Sequence, residues 1–164
     1  MQLSHRFLMA ISICSFGAVG IALFSQHLLD LMPCAWCVLQ RLVFIAIGVV
    51  SLLGLVGTSR VWTLLMASAG VVLSIIGIWA AWHQWTVAAK SFSCDQTLAD
   101  RLMTASGLES GIPWLFGIYA TCMDAAVSIL GLDFAVWSLL LYAALGLASA
   151  AAFSASCHWQ RSLG

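Results

Sequence analysis

A chain of 164 residues has room for one domain or one small helical bundle. It is 63% hydrophobic and 7% charged, with no net charge. A water-soluble domain carries about a quarter charged residues. The composition therefore excludes an ordinary water-facing surface and places the chain in a membrane, and it leaves no basic face for nucleic acid.

A membrane helix needs about 20 mostly apolar residues. The first such window is Phe7–Leu29, interrupted only near its end by Gln26 and His27. It is too long for a cleavable leader and runs straight into a cysteine motif, so it reads as a retained span. A tight connection over residues 30–36 follows, with Pro33 suited to a helix start. The second window, Cys37–Val56, is apolar apart from Gln40 and Arg41. The short turn at residues 57–60 leads into an uncharged third window, Val61–Trp82, so these two helices form an antiparallel hairpin.

Residues 83–133 differ. They hold Lys90, Asp95, Asp100, Arg101, Glu109, Asp124 and Asp133, with turn formers at Gly107, Gly111 and Pro113. This reads as a long, partly helical loop. Its apolar stretch Ile112–Tyr119 is too short to span and suits a short helix lying at the membrane interface. The fourth window is Phe134–Phe153. The expectation is an all-α membrane protein: one domain over residues 1–164, with spans 7–29, 37–56, 61–82 and 134–153.

Four spans put both termini on one side and loops 30–36 and 83–133 on the other. Basic residues divide evenly between the sides, but all six acidic residues fall on the loop side. The termini are assigned to the cytoplasm and the loops to the periplasm.

That topology sorts the six cysteines. Cys34, Cys37, Cys94 and Cys122 share the loop side, where disulfides persist. Cys14 lies inside the first span and Cys157 in the tail, where each reads as a small buried hydrophobe. Four cysteines allow three pairings. A Cys34–Cys37 bond closes easily but restrains almost nothing. A Cys94–Cys122 bond spans 28 positions and could be structural. A C-x-x-C pair at a helix start has a redox rationale, because the helix dipole and free amides there stabilise a thiolate. Four thiolates could also bind zinc or an iron–sulfur cluster, but the wide second spacing and an oxidising compartment disfavour a metal.

Positions 34, 37 and 41 are i, i+3 and i+7, so Arg41 stacks below both thiols on one helix face. A buried arginine is costly in a membrane. A cation fixed there favours a thiolate at Cys37 and negative charge on an acceptor held against it, and the lipid-soluble acceptor suited to that depth is a quinone. Snorkelling to the surface is the plainer alternative. His83, at the outer end of the third span, could face the same pocket.

The motif Pro33-Cys34-Ala35-Trp36-Cys37, followed by Gln40-Arg41 and Phe44, resembles the DsbB family of disulfide bond formation proteins. Gln26-His27, Cys94-Asp95, Cys122 and Leu130-Gly131-Leu132-Asp133 leading into Trp137 extend the likeness over roughly residues 20–145. The resemblance implies a periplasmic thioredoxin-fold partner of the DsbA type, whose dithiol attacks a Cys94–Cys122 disulfide at Cys94. Electrons then reach Cys34–Cys37 through transient Cys34–Cys122 pairing. Cys37, beside Arg41, makes the contact with a membrane quinone, ubiquinone or menaquinone. His83 joins Cys37 and Arg41 as an expected quinone-side residue. Where relatives can carry an acidic residue before the arginine, this chain has Gln40, and the spacing from His83 to Cys94 is slightly compressed. Two other readings are a vitamin K epoxide reductase-like enzyme, disfavoured because its loop cysteines precede the C-x-x-C, and a non-catalytic membrane subunit with structural disulfides.

Overall fold

The computed structural model describes residues 2–57, 59–88, 97–125, 127–129 and 131–158. Four long helices dominate: α1 (Gln2–Leu28), α2 (Ala35–Val56), α3 (Arg60–Thr86) and α7 (Phe134–His158). Each is long and apolar enough to cross a membrane. Between α3 and α7 lie α4 (Leu98–Ser106), α5 (Leu108–Gly111), α6 (Pro113–Phe116) and a two-residue antiparallel pairing of β1 (Ser128–Ile129) with β2 (Leu132–Asp133). The four-helix membrane bundle expected from hydropathy is the fold observed. All four helices outrun their apolar windows: α1 begins at Gln2, α2 begins at Ala35, α3 continues past Trp82 to Thr86, and α7 continues past Phe153 to His158. Hydropathy falls at the first polar residues, whereas the backbone hydrogen-bond ladder has no reason to stop there.

The long helices pack in a ring, each against the next: α1 on α2, α2 on α3, α3 on α7, and α7 back on α1. Lipid tails are as apolar as the side chains, so close backbone approach over small residues, not hydrophobicity, drives such packing. On α3, Gly70, Ser74 and Gly77 repeat at helical spacing and face Ser149, Gly146 and Tyr142 of α7. On α2, Gly48 takes the Phe16 ring of α1, and Ser12 of α1 donates to the Gly48 carbonyl at 3.3 Å. Tyr142 is fully buried, stacks on Phe44 at 4.1 Å and donates to the Gln40 carbonyl at 2.7 Å. It thereby fixes α7 against the part of α2 that carries the polar residues. The outward faces present large apolar side chains such as Ile13, Ile21, Leu65, Ile75 and Leu147, as a lipid boundary requires.

At the end of the bundle bearing the chain termini, the α2–α3 turn is closed by Trp62 Nε1 donating to the Leu53 carbonyl at 2.7 Å. Arg60 reaches the Cys157 carbonyl at 3.1 Å, tying the start of α3 to the end of α7. The opposite end is roofed by the loop. Thr97 and Asp100 form a reciprocal cap at the start of α4, and Gly107 ends that helix in the left-handed conformation. Met103 of α4 and Phe116 of α6 bury against Val38 of α2. The Ile112–Tyr119 stretch does not form a single interfacial helix. Only Pro113–Phe116 is helical, because at Gly117 the backbone turns extended and the Tyr119 hydroxyl and Pro113 carbonyl fill the place of a side chain.

Candidate functional site

Cys34 is the N-cap of α2, in extended conformation, so it and Cys37 open that helix. Their sulfurs lie 2.9 Å apart. Cys34 is fully buried, and Cys37 is partly exposed. The third sulfur arrives from the loop. The Tyr119 and Ala120 amides donate to the Pro33 carbonyl at 3.0 and 3.3 Å. That backbone clamp pins residues 119–120 beside the start of α2 and brings Cys122 to pack against the cluster that holds Cys34. Cys94 lies outside the described residues.

Contact with Cys34 polarises the pair. The Cys34 thiol beside it holds Cys122 below the ordinary thiol range, against the opposing effect of burial. The same proximity raises Cys34 well above that range, with its bond to Cys37 and its burial adding to the shift. Of the two, Cys122 is the ready nucleophile and Cys34 stays protonated.

Arg41 sits one turn below Cys37 on α2, roughly 9 Å from the helix start at 1.5 Å per residue. It is buried. Its Nη1 donates to Gln26 Oε1 of α1 at 2.9 Å and also to the Leu115 carbonyl of α6. These bonds hold the guanidinium between α1 and the loop helix α6. Its Nε is buried without a partner among the described residues.

Two further polar side chains complete this corner. Gln40 of α2 and Gln84 of α3 are both buried. Gln40 Nε2 donates to Gln84 Oε1 at 2.6 Å, and Gln84 Nε2 donates to the Cys37 sulfur at 3.2 Å and reaches Cys34 at 3.8 Å. Neither Gln26 nor Gln84 stands out in the sequence as a site residue. The available signal was that each is a strongly polar group inside an otherwise apolar helix.

His83 does not share this corner. Its ring stacks on Trp36 at 4.6 Å, beside Trp79, and forms part of a separate recess with Val87, Ala88, Thr97 and Leu98. Successive residues on a helix point about 100° apart. With Gln84 turned toward the sulfurs, His83 faces elsewhere.

A cavity of about 820 Å³ opens beside the sulfurs, between α1, α2 and α7 and under the loop. Ala18, Val19, Phe44, Leu140 and Leu141 supply apolar walls, and Cys37, Gln40, Arg41 and Gln84 form a polar end. Asp30, Asp124 and Tyr119 lie along the loop side. A flat apolar ring with carbonyl acceptors fits this lining: the walls are apolar, and Arg41 and Gln40 bring a cation and an amide to one end.

Four apolar spans with paired thiols at a helix start, and a third cysteine clamped against them, define a membrane oxidoreductase of the disulfide-forming class. The chain belongs to the DsbB family: the family model "Disulfide bond formation protein DsbB" matches residues 4–152. Among its relatives, the disulfide bond formation protein B of Ralstonia nicotianae is 32% identical over 145 residues, covering 88% of this chain and 90% of that one. The protein of the same name from Dechloromonas aromatica is 36% identical over 132 residues, covering 78% of each chain. That from Cupriavidus necator is 32% identical over 140 residues, covering 84% of each.

Proposed function

We propose that this membrane protein reoxidises a periplasmic thioredoxin-fold dithiol oxidase and delivers the two electrons to a membrane quinone. The termini lie in the cytoplasm, and the cysteine-bearing end of the bundle faces the periplasm. The observation that carries the reading is the Cys34–Cys37 sulfur pair at 2.9 Å, with Cys122 packed against its cluster and Cys37 lining the polar end of an apolar cavity.

The relay is a series of thiol–disulfide exchanges. The partner's thiolate attacks a Cys94–Cys122 disulfide at Cys94, and the electron pair of the broken bond leaves on Cys122. Cys122 leaves as a thiolate, and a thiolate is the nucleophile that the next exchange needs. It attacks Cys34 of a Cys34–Cys37 disulfide, and the electron pair leaves on Cys37. The partner's second thiol resolves its mixed disulfide with Cys94. Cys122 and Cys94 pair again as the dithiol of Cys34 and Cys37 is completed.

A bound quinone supplies the acceptor for two electrons and two protons. Arg41 and Cys37 would hold it, the arginine by its charge and the cysteine by apposition at the cavity wall. The apolar walls exclude water, which strengthens the action of the Arg41 charge on its neighbours. His83 stacks on Trp36, away from the residues that line the cavity.

The test uses the purified protein in detergent, a reduced periplasmic thioredoxin-fold oxidase and a soluble quinone followed by absorbance. Turnover is expected in the parent and lost in Cys34→Ser, Cys37→Ser, Cys94→Ser and Cys122→Ser. Quinone reduction that survives all four substitutions sinks the relay.

A further inference from the structure

The positive charge of Arg41 is near Cys37, yet its Nη1 is tied to Gln26 and to the Leu115 carbonyl. The side-chain amide that reaches the Cys37 sulfur, at 3.2 Å, belongs to Gln84 on a different helix. We propose that Gln84 is the group that receives the leaving electron pair's charge at Cys37, and that Gln40 is the positioning residue that keeps the donor end of the Gln84 amide facing the sulfur. The inference rests on Cys37 being the sulfur that leaves when Cys34 is attacked, and it adds a reason for that choice.

The geometry is directional. Gln40 Nε2 donates to Gln84 Oε1 at 2.6 Å, which occupies the acceptor end of the Gln84 amide and leaves its NH₂ toward the cysteines. A thiolate offers only lone pairs, so it selects that same orientation. The amide meets Cys37 at 3.2 Å and Cys34 at 3.8 Å. The shorter contact favours charge on Cys37 over charge on Cys34. When Cys122 attacks, a sulfur–sulfur bond forms between Cys122 and Cys34, the Cys34–Cys37 bond breaks, and the electron pair goes to Cys37. Attack in the opposite sense would leave the pair on Cys34, where the donor is farther away.

A neutral donor suits this position. Both glutamines are buried between α2 and α3, where a second cation would need its own counter-charge. An amide stabilises the thiolate without neutralising it, so Cys37 remains able to pass its electrons on. The pairing also spans two helices, because Gln40 sits on α2 and Gln84 near the end of α3. A single glutamine in either place would be an unpaired polar group inside an apolar bundle.

The test is the rate at which iodoacetamide modifies Cys37 in the fully reduced full-length protein in detergent, measured by mass spectrometry of the Cys37 peptide across pH. Cys37 lines the cavity, which gives the reagent a path. Gln84→Met keeps the side chain's length and removes the donor. It is expected to slow Cys37 modification at pH 7 about tenfold, the loss of one charge-assisted hydrogen bond. The deficit should close as the pH approaches 10, because alkali ionises the thiol without help; a merely misfolded site would stay slow at every pH. Gln40→Met leaves Gln84 in place but unanchored. It is expected to slow the reaction about threefold, and it serves if Gln84→Met does not fold. Modification of Cys37 at the parent rate at pH 7 in either folded variant overturns the proposal. If Cys37→Ser still reduces quinone with the reduced partner, the relay itself has failed, whatever the modification rates show.

Discussion

Arg41 Nη1 of α2 and Gln26 Oε1 of α1 are joined at 2.9 Å across the helix seam that walls the cavity. The bond fixes a cation inside the bundle, with Leu115 of α6 accepting from the same nitrogen. Arg41→Met removes the charge and leaves two acceptors unpaired. The expected result is a rise of tenfold or more in quinone KM, since a charge-assisted hydrogen bond is worth about 1.5–3 kcal/mol and each 1.4 kcal/mol is about tenfold. The accompanying loss of stability should be about 1–3 kcal/mol from the stranded carbonyls. Steady-state kinetics at low quinone concentration, beside a detergent melt, separates the two. Unchanged kinetics there refutes the role given to Arg41.

Cys122 and Cys34 should differ in their response to pH. In the reduced protein their proximity holds Cys122 below the ordinary thiol range and Cys34 above it. Alkylation of Cys122 should therefore level off at a lower pH than that of Cys34, which leaves Cys34 with the steeper pH slope in the alkaline range. Cys34→Ser exchanges the thiol beside Cys122 for a weakly acidic hydroxyl, so the pH profile of Cys122 should move. Burial slows Cys34 at every pH, so the pH slope, not the absolute rate, is the quantity to compare. Parallel slopes for the two sulfurs would contradict this polarisation.

How much of this was legible in the sequence depends on whether a feature is local. The four spans follow from composition and length, and the stacking of Arg41 under Cys37 follows from helical spacing alone. The position of Cys122 does not. It depends on the Pro33 carbonyl capturing the Tyr119 and Ala120 amides, backbone bonds between segments some 86 residues apart that no side-chain pattern announces. Gln84 and His83 show a related difficulty. Adjacent residues at the end of α3 compete for the inward direction, and the rotation of α3 decides between them. That rotation is set by Gly70, Ser74 and Gly77 fitting against α7, far down the helix. The contact of Gln84 with the sulfurs is thus a consequence of packing some distance away. For the loop, Ile112–Tyr119 reads as one apolar helix until Gly117 turns the backbone extended.

Gly77 offers a direct check on that packing. A methyl group there would fall within the Tyr142 ring, which is itself fully buried and held by Phe44 and the Gln40 carbonyl. Gly70 is less confined, meeting the Ser149 hydroxyl at 2.9 Å. Gly77→Ala should cost about 1–3 kcal/mol, the usual range for overpacking, and Gly70→Ala less. The melting temperature in detergent should fall in that order. Because Tyr142 also positions Gln40, Gly77→Ala should slow Cys37 alkylation at pH 7 as well. A Gly77→Ala protein as stable as the parent would show that α3 and α7 are not locked here.

The clamp on Pro33 can be removed without touching a cysteine. Ala120→Pro deletes one of the two amides that donate to the Pro33 carbonyl, the one at 3.3 Å, and restricts Tyr119 before it. Ala120→Gly keeps the amide and serves as the control for loss of the methyl group. With the clamp weakened, Cys122 should spend less time against Cys34. Mild oxidation of the reduced protein, followed by disulfide mapping under non-reducing conditions, should give several-fold less Cys34–Cys122 cross-link in Ala120→Pro and parent-like yield in Ala120→Gly. The membrane helices pack through α1, α2, α3 and α7 and make no use of this bond, so the melting temperature should change little. Equal cross-link yields in Ala120→Pro and the parent would mean that something other than the 119–120 backbone seats Cys122.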